Sequence, residues 1–511
     1  MDTTETGTPF HRRETFVAMA LIALGAGLRA WNLSFQSLTF DELYELGLGA
    51  EAIGRIVPTG DGFPPLYHVL LHGWLGAFGP DAGARWLSWL FGVSSLLVAW
   101  RLGRRVGGPA AGLGTLGLLA LSPVHVWYSQ EGRAYMLVIL LAGLVIWLLF
   151  RALDSDAWAG WGAYAVAATA GMYSHYYFSF VLVCCGGVVL LRRRIGRGLA
   201  RPVAAHSVVA ALCVPLLFLL RADFQLQADI PTVVPFDLSA LGYTFVSLLT
   251  GYTIGPSLRE LHTMGLAESV RGFAPWLAIL APDVAVLAVR GARSLPRARV
   301  LELAILIGLP VLFAGFLGLV AEVGYNVRYV VWIVVPVAVW LGAAVPEWRS
   351  PAVAFSLAAV LGVSGLALWN RNHVDRYLNE DARAAAVWLS EREEDDAPVF
   401  VLTGYMTVPV AHYVGGDRAV VPIRRLRGPM PERIERAFHA IESGVGGGDP
   451  YWLAYTRAFH GDPEGAIRAL LERRHGLQRM ARFAGIEIYR GRVPAREPVP
   501  PATPAVRPSA R

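Results

Sequence analysis

Five short stretches set polar groups at the edges of apolar runs, and their residue types can do chemistry. SLTFDELYELGLG carries the acidic pair Asp41-Glu42. SPVHVWYSQEGRAYML, Ser122 to Leu137, places Tyr128, Gln130, Glu131, Arg133 and Tyr135 between two strongly apolar segments. MYSHYYF holds His175, AEVGYNVRYVVWIVVP holds Arg328 and Tyr329, and PPLYHVLLHGWLGAFG holds His68 and His72. A carboxylate beside an acceptor hydroxyl can take its proton or orient it for attack. A guanidinium is planar, stays charged and forks onto phosphate oxygens. Apolar helices beneath such groups suit a long lipid tail. The combination implies a lipid-linked phosphate approached from the membrane, and an acceptor activated by a carboxylate.

Each of these residues also has a plain structural reading. Asp41-Glu42 could be a solvated loop or a charge pair at a helix N-terminus. Arg133 could pair with Glu131 or snorkel to headgroups, Arg328 could be an interface anchor, and His175 a hydrogen-bonded turn residue. His68 and His72, at i and i+4, share a helix face and could hold a metal or simply pack. Their gathering on one side of a membrane is what favours the functional reading, because ionisable groups within membranes are commonly functional.

The elements that must position them follow from composition. Of the 511 residues, 55 % are hydrophobic and 16 % charged, against about 25 % charged in soluble proteins; the mean hydropathy is +0.45. Apolar runs long enough for a ~30 Å hydrocarbon core recur at about 15–31, 84–100, 109–127, 134–150, 157–173, 176–191, 202–220, 272–289, 300–320, 328–345 and 351–369. Thr15–Trp31 lacks a small-residue cleavage site and reads as a retained first span. Cys184, Cys185 and Cys213 all lie in apolar runs and suggest neither a disulfide framework nor a metal site. The basic residues, 45 in all, are arginines without a single lysine, and they form no stripe suited to nucleic acid.

Arginines favour cytoplasmic loops close to span ends. With eleven spans and a cytoplasmic N-terminus, the clusters at 11–13, 101–105, 192–201 and 290–299 all fall inside, a side expected to show only orientation-setting arginines. The chemistry-bearing residues then converge on the outer face. Pro64–Gly79 would break this pattern as a span and reads instead as an interfacial or re-entrant helix on that face, as does Leu241–Thr253. After Trp369 the chain turns polar. The helical stretch EDARAAAVWLSERE alternates with the β-like runs PVFVLT, DRAVVPI, YWLAY and GIEIYRG, predicting a small α/β domain over 371–490 outside the cytoplasm. Residues 491–511 are Pro/Ala-rich and read as a disordered tail.

The order of FDE, PPLYHVLLHGWLGAFG, ARWLSWLFG, SPVHVWYSQEGRAYML and NVRYVVWIVVP resembles the bacterial relatives of the dolichyl-phosphate-mannose protein mannosyltransferases. These belong to the C-type glycosyltransferase superfamily, with the lipid A aminoarabinose transferases. The resemblance covers roughly residues 15 to 370. It implies an α-helical polytopic membrane protein of the C-type fold, over 1–370 with outer-loop and interfacial helices at 32–83, in a bacterial cytoplasmic membrane. It further implies an inverting transferase taking a sugar from a polyprenyl-monophosphate donor to a hydroxyl of a glycolipid, an envelope glycan or a protein. Asp41 would be the acceptor's base, and Glu42 would shape the site or orient the acceptor. Arg133 and Arg328 would hold the donor phosphate. Glu131 and Tyr135 would position groups around it, with Tyr128, Gln130, His175, Tyr329 and His68 completing the lining. No cofactor is implied beyond a divalent metal, which some branches use and which stays open here. Any role a lysine takes in the family falls to arginine in this chain or is absent. The rival readings are a lipid or solute transporter or flippase, and an inactive envelope-assembly scaffold; the first would place its charges near the bilayer midplane rather than at one rim.

Overall fold

The structure, a computed structural model, describes residues 9–56, 63–80, 83–193, 198–227, 238–320, 325–392, 396–416, 418–424, 426 and 428–495. The chain divides into two compact units. One is Met1–Gln36 with Asp41–Tyr377, the other Ser37–Phe40 with Leu378–Arg511. The expected disordered tail lies outside the described residues from 496 onward.

The first unit is helical. Its helices are α1 (Pro9–Ala30), α2 (Phe40–Ala50), α3 (Leu66–Phe78), α4 (Gly83–Ala120), α5 (Pro123–Ser129), α6 (Tyr135–Ser155), α7 (Trp158–Met172) and α8 (Ser179–Arg193). They continue as α9 (Ala200–Leu212), α10 (Val214–Gln227), α11 (Leu238–Thr250), α12 (Leu266–Ser294), α13 (Arg297–Val320), α14 (Val334–Gly342) and α15 (Pro351–His373). Among the described residues six helices are long and apolar enough to cross a membrane: α4, α6, α12, α13, α15 and residues 176–193. A seventh is added if α9 and α10, bent by 41°, form one span. The other expected spans fall on α1 and on shorter or interrupted helices. The runs at 84–100 and 109–127 lie on either side of Gly108 in α4, which comprises two helices meeting there at a kink. There φ is +84°, a conformation only glycine adopts freely, and Pro109 restarts the helix. The run at 328–345 splits into two single-turn 3₁₀ segments ahead of α14. Pro64–Gly79 forms the 13-residue α3.

One apolar core threads these helices, with Leu96, Ile139, Phe150, Trp161, Phe178 and Trp332 sealed within it. It also holds a cation without a carboxylate partner among its hydrogen bonds. Arg29 of α1 is wholly buried and donates to the carbonyls of Leu119 and Ala120, both at 2.9 Å, where α4 ends. Helix C-termini leave such carbonyls unpaired and carry partial negative charge. Arg29 also donates to His125 Nδ1 at 2.8 Å, which leaves His125 Nε2 to donate to Ser95 Oγ at 2.8 Å.

Several arginines of the clusters at 101–105, 192–201 and 290–299 are paired with carboxylates. Arg192 and Arg299 both pair with the fully buried Glu302. Arg105 and Arg192 reach Asp154 at 2.6 and 2.7 Å, and Arg193 and Arg201 reach Asp156 at 2.9 and 2.7 Å. Carboxylates scattered through the sequence thus meet these arginines only after folding.

The second unit is a mixed five-stranded sheet in the order β2-β1-β3-β5-β4. Its strands are β1 (Val399–Val401), β2 (Val420–Pro422), β3 (Pro450–Thr456), β4 (Gln478–Phe483) and β5 (Ile486–Arg492). β1 is parallel to β2 and β3, whereas β5 is antiparallel to β3 and β4. The period-2 alternation of strands divides the core between two faces. Phe400, Tyr451, Leu453 and Tyr489 pack with α18 (Met430–Gly444) and α19 (Ala466–His475). Val399, Val401, Trp452, Ile486 and Ile488 pack with α16 (Ala382–Ser390) and α17 (Thr407–Val414). The β-like runs form β1, β2, β3 and β5; β4, read QRMARF, escaped notice because an exposed edge strand keeps polar residues on both faces. Residues 37–40 belong to this unit: Ser37 Oγ donates to Asp381 Oδ1, and the Leu38 N–H to the Tyr413 hydroxyl, both at 2.8 Å.

Candidate active site

The acidic pair opens α2, where the helix N-terminus favours negative charge. The 3.6-residue period sets Glu45 one turn beyond Asp41 on the same face. The three carboxylates then meet different fates. Glu42 is 1 % exposed and held on all sides. Arg85 of α4 grips it bidentately, Nε to Oε1 at 2.6 Å and Nη2 to Oε2 at 2.7 Å, and the Gly132 N–H donates to Oε1 at 3.0 Å. Arg85 also donates to the Leu33 and Gln36 carbonyls, at 3.1 and 2.8 Å. Glu42 is thus a clamp joining α2, α4 and the 130–134 turn.

Asp41 stays 40 % exposed between two arginines: Arg133 Nη1 stands 3.4 Å from Oδ1, and Arg328 Nη1 3.8 Å from Oδ2. Glu45 is sealed, its Oε1 3.2 Å from Arg133 Nε and its Oε2 2.5 Å from His68 Nε2. Arg133 therefore bridges Asp41 and Glu45 rather than pairing with Glu131. Its guanidinium lies against the Phe63 and Tyr135 rings, with centroids at 4.7 and 5.8 Å. Burial works against its charge, but Tyr135, Glu45 and Asp41 outweigh that and raise its pKa. Arg328 leans on the same Tyr135 ring at 5.5 Å and is 35 % exposed, against 8 % for Arg133. It is presented by the single turn Val327–Tyr329, where the Asn326 side chain accepts from the Arg328 N–H at 3.1 Å.

The turn carrying Arg133 is shaped by its neighbours. A Cβ on Gly132 would stand 2.7 Å from the Ala84 Cβ, so only glycine lets this backbone approach α4. Glu131 is half-buried, and its Oε2 is shut away without a hydrogen-bond partner. Burial raises its pKa, with the Arg328 charge pulling the other way. Gln130 is turned aside. It donates to the Arg29 and Trp31 carbonyls at 3.1 and 2.8 Å and accepts from Arg371 Nε at 2.8 Å, which makes it a structural tie.

The remaining expected residues form an aromatic flank. His175 Nδ1 accepts the Tyr177 N–H at 3.1 Å, and its ring stands edge-on to Phe63 at 5.2 Å and tilted to Tyr135 at 5.8 Å. Burial, and then the Arg133 charge, push its pKa down to about 3, so it is neutral at ordinary pH. Tyr329 stacks on Tyr177 at 3.9 Å. Tyr128 lies behind Tyr135, its hydroxyl bonded to that of Tyr252 at 2.7 Å. His68 and His72 do not act as a pair: His68 serves Glu45, while His72 Nδ1 meets the Gly49 carbonyl at 3.1 Å. Among the described residues no three His, Cys, Asp or Glu side chains are arranged to hold a metal ion.

The structure thus gathers Asp41, Arg133, Arg328, Tyr135 and His175, with Glu131 beside them. It adds Glu45, Arg85, Phe63 and Tyr177, which the sequence reading missed. For Glu45 the signal was present in the i, i+4 spacing of FDELYE.

Residues 64–220 match the sequence profile of the family described as dolichyl-phosphate-mannose-protein mannosyltransferase. No curated protein sequence matches the chain. Among solved structures it is similar to ArnT from Cupriavidus metallidurans in the apo state, with 14 % identity and a TM-score of 0.56 over 93 % of this chain and 98 % of that one. The same protein bound to undecaprenyl phosphate gives 15 % identity and a TM-score of 0.51, over 95 % and 98 %. The oligosaccharyltransferase AglB from Archaeoglobus fulgidus, in complex with an inhibitory peptide and a dolichol-phosphate, gives 13 % and 0.55, over 97 % of this chain and 76 % of that one. Identities this low speak for the fold alone. The profile match over 64–220 and the fold shared with these structures agree with the resemblance that the motif order carries.

Proposed function

We propose that this protein is a membrane glycosyltransferase that moves a sugar from a polyprenyl-monophosphate donor to a hydroxyl-bearing acceptor, with inversion at the anomeric carbon. The observation that carries the reading is Asp41: a half-exposed carboxylate held between two guanidinium groups in a helical unit rich in apolar spans. Solved relatives of the same fold bind undecaprenyl phosphate and dolichol-phosphate, which supports a lipid phosphate as the group these arginines meet.

Asp41 takes the acceptor's hydroxyl proton as that oxygen attacks the anomeric carbon. The bond from that carbon to the phosphate oxygen breaks, and its electron pair stays on the departing phosphate. A phosphodiester monoanion thereby becomes a monoester dianion, while Asp41 becomes neutral, so total charge is conserved. The growing charge on the phosphate is what an arginine can stabilise more in the transition state than before it. Arg328, one-third exposed, is the arginine free to approach the phosphate; Arg133, engaged by two carboxylates, adds its charge from behind. Glu42 acts through Arg85 and Gly132 by fixing α2. The arginine distribution supports eleven spans in a bacterial cytoplasmic membrane, with the N-terminus cytoplasmic and the site and second unit outside.

The experiment is to incubate the purified full chain, in lipid nanodiscs, with a panel of polyprenyl-phosphate sugars and membrane extract, and to identify the glycosylated product. A product with inverted anomeric configuration is expected from at least one donor. Movement of the lipid or sugar across the bilayer without any glycosylated product would replace this reading with that of a transporter.

A further inference from the structure

Glu45 is 1 % exposed, and it faces Arg133 on one side and His68 on the other. Arg133, itself nearly buried, has two carboxylates within ion-pair distance among the described residues: Asp41, open to the site, and Glu45, closed to it. One carboxylate would suffice to neutralise a guanidinium, so the second needs an explanation.

We infer that Glu45 is a positioning residue, the standing counter-ion of Arg133, which lets Asp41 gain and lose a proton without stranding a buried guanidinium. The inference rests on the reading of Asp41 as the acceptor's base. During transfer the acceptor proton neutralises Asp41. Were Asp41 the sole partner of Arg133, that step would leave a nearly buried cation uncompensated, a strongly unfavourable state. Glu45, closed to the site, lies beyond the acceptor's reach and stays beside the guanidinium while Asp41 is neutral. His68 of α3 closes the far side of Glu45 and keeps the carboxylate from turning away.

The other ionisable groups around Arg133 do not fill this role. Glu42 is held by Arg85 and Gly132, and Glu131 feels the Arg133 charge more weakly than that of Arg328. Arg328 and the neutral His175 bring no negative charge, and Tyr135 meets the guanidinium through its ring. Tyr67 lies on the Glu45 side, next to His68.

The test is the pH–rate profile of Glu45→Gln in the full chain in nanodiscs, using the polyprenyl-phosphate sugar that gives product in the panel. With one counter-ion left, Arg133 holds the Asp41 charge more firmly. The acidic limb of the profile is expected to move to lower pH by about one unit. kcat falls by up to about tenfold as the base weakens, and KM for the donor stays within about twofold. A reduced kcat with an unmoved limb overturns the inference, since a merely structural lesion lowers the rate without moving the profile. Should Glu45→Gln fail to fold, Glu45→Asp decides: its charge is retained but drawn back from Arg133, so a smaller shift in the same direction supports the role and none overturns it. Asp41→Asn, assayed beside them, separates the two claims. Transfer persisting in that variant overturns the base itself, whereas transfer lost there with an unmoved limb in Glu45→Gln overturns the role of Glu45 alone.

Discussion

Asp41 and Arg133 stand 3.4 Å apart, the carboxylate 40 % exposed and the guanidinium 8 % exposed. This pairing of an open carboxylate with a closed cation sets the division of labour in the site. The buried member is fixed by Glu45, Phe63 and Tyr135, and so holds Asp41 in one direction while leaving it accessible. Arg328, on the far side of Asp41 at 3.8 Å, remains accessible too.

That asymmetry predicts unequal effects on the donor. Arg328→Ala is expected to weaken binding of undecaprenyl phosphate in nanodiscs by tenfold or more, about 1.4 kcal/mol. Arg328→Lys recovers part of the loss, because an ammonium supplies charge without the fork. Titration of the lipid phosphate by intrinsic fluorescence would read the change, and equal affinity in wild type and Arg328→Ala would move the phosphate elsewhere.

The Glu42–Arg85 clamp is a stability device. Removing one member of a buried, bidentate ion pair leaves the other uncompensated, at a cost of roughly 3–5 kcal/mol. Arg85→Ala should therefore lower the melting temperature in detergent markedly, whereas Asp41→Asn at its exposed position should leave it near the wild-type value. Thermal unfolding followed by tryptophan fluorescence distinguishes these outcomes.

His175 predicts a pH dependence of stability. Its pKa falls from about 6.5 when unfolded to about 3 when folded. The unfolded chain therefore binds the proton first, and stability is fully present above about pH 6.5 and lost as pH drops toward 3. The slope approaches 1.4 kcal/mol per pH unit within that window. His175→Gln should flatten the fall in melting temperature between pH 7.5 and pH 5 relative to wild type. An identical fall in both proteins would mean that His175 is charged in the fold.

Gly132 links the turn of Arg133 to α4. Gly132→Ala forces its Cβ against Ala84 and displaces the N–H that Glu42 accepts. A loss of transfer rate of about tenfold or more, with a smaller change in lipid-phosphate affinity, is expected, since displacements of about 1 Å can cost a hundredfold in rate.

How much of this was legible in the sequence depended on contrast. Asp41, Arg133, His175 and Arg328 stood out as isolated polar groups at the margins of apolar runs, and they do lie near one another. Arg85 did not stand out, because an arginine at the start of an apolar run reads as an interface anchor. Its partner Glu42 lies 43 positions away, on another helix. Gln130 was placed in the site by its neighbours in the chain, but its amide turns to Arg371, 241 positions on. The same limit hid which carboxylates pair with the arginine clusters: spacing reports which residues share a helix face, whereas ion pairs between distant helices are set by packing. The two runs at 84–100 and 109–127 do fall on either side of the kink at Gly108, whereas the run near 328–345 starts as single turns.

The central claim, that Asp41 activates the acceptor, is tested most directly by the rate of sugar transfer from a radiolabelled polyprenyl-phosphate sugar by wild type and Asp41→Asn at equal amounts of folded protein. The account predicts a loss of at least about a hundredfold in kcat, with undecaprenyl-phosphate binding retained. Transfer by Asp41→Asn within a few-fold of wild type would contradict it.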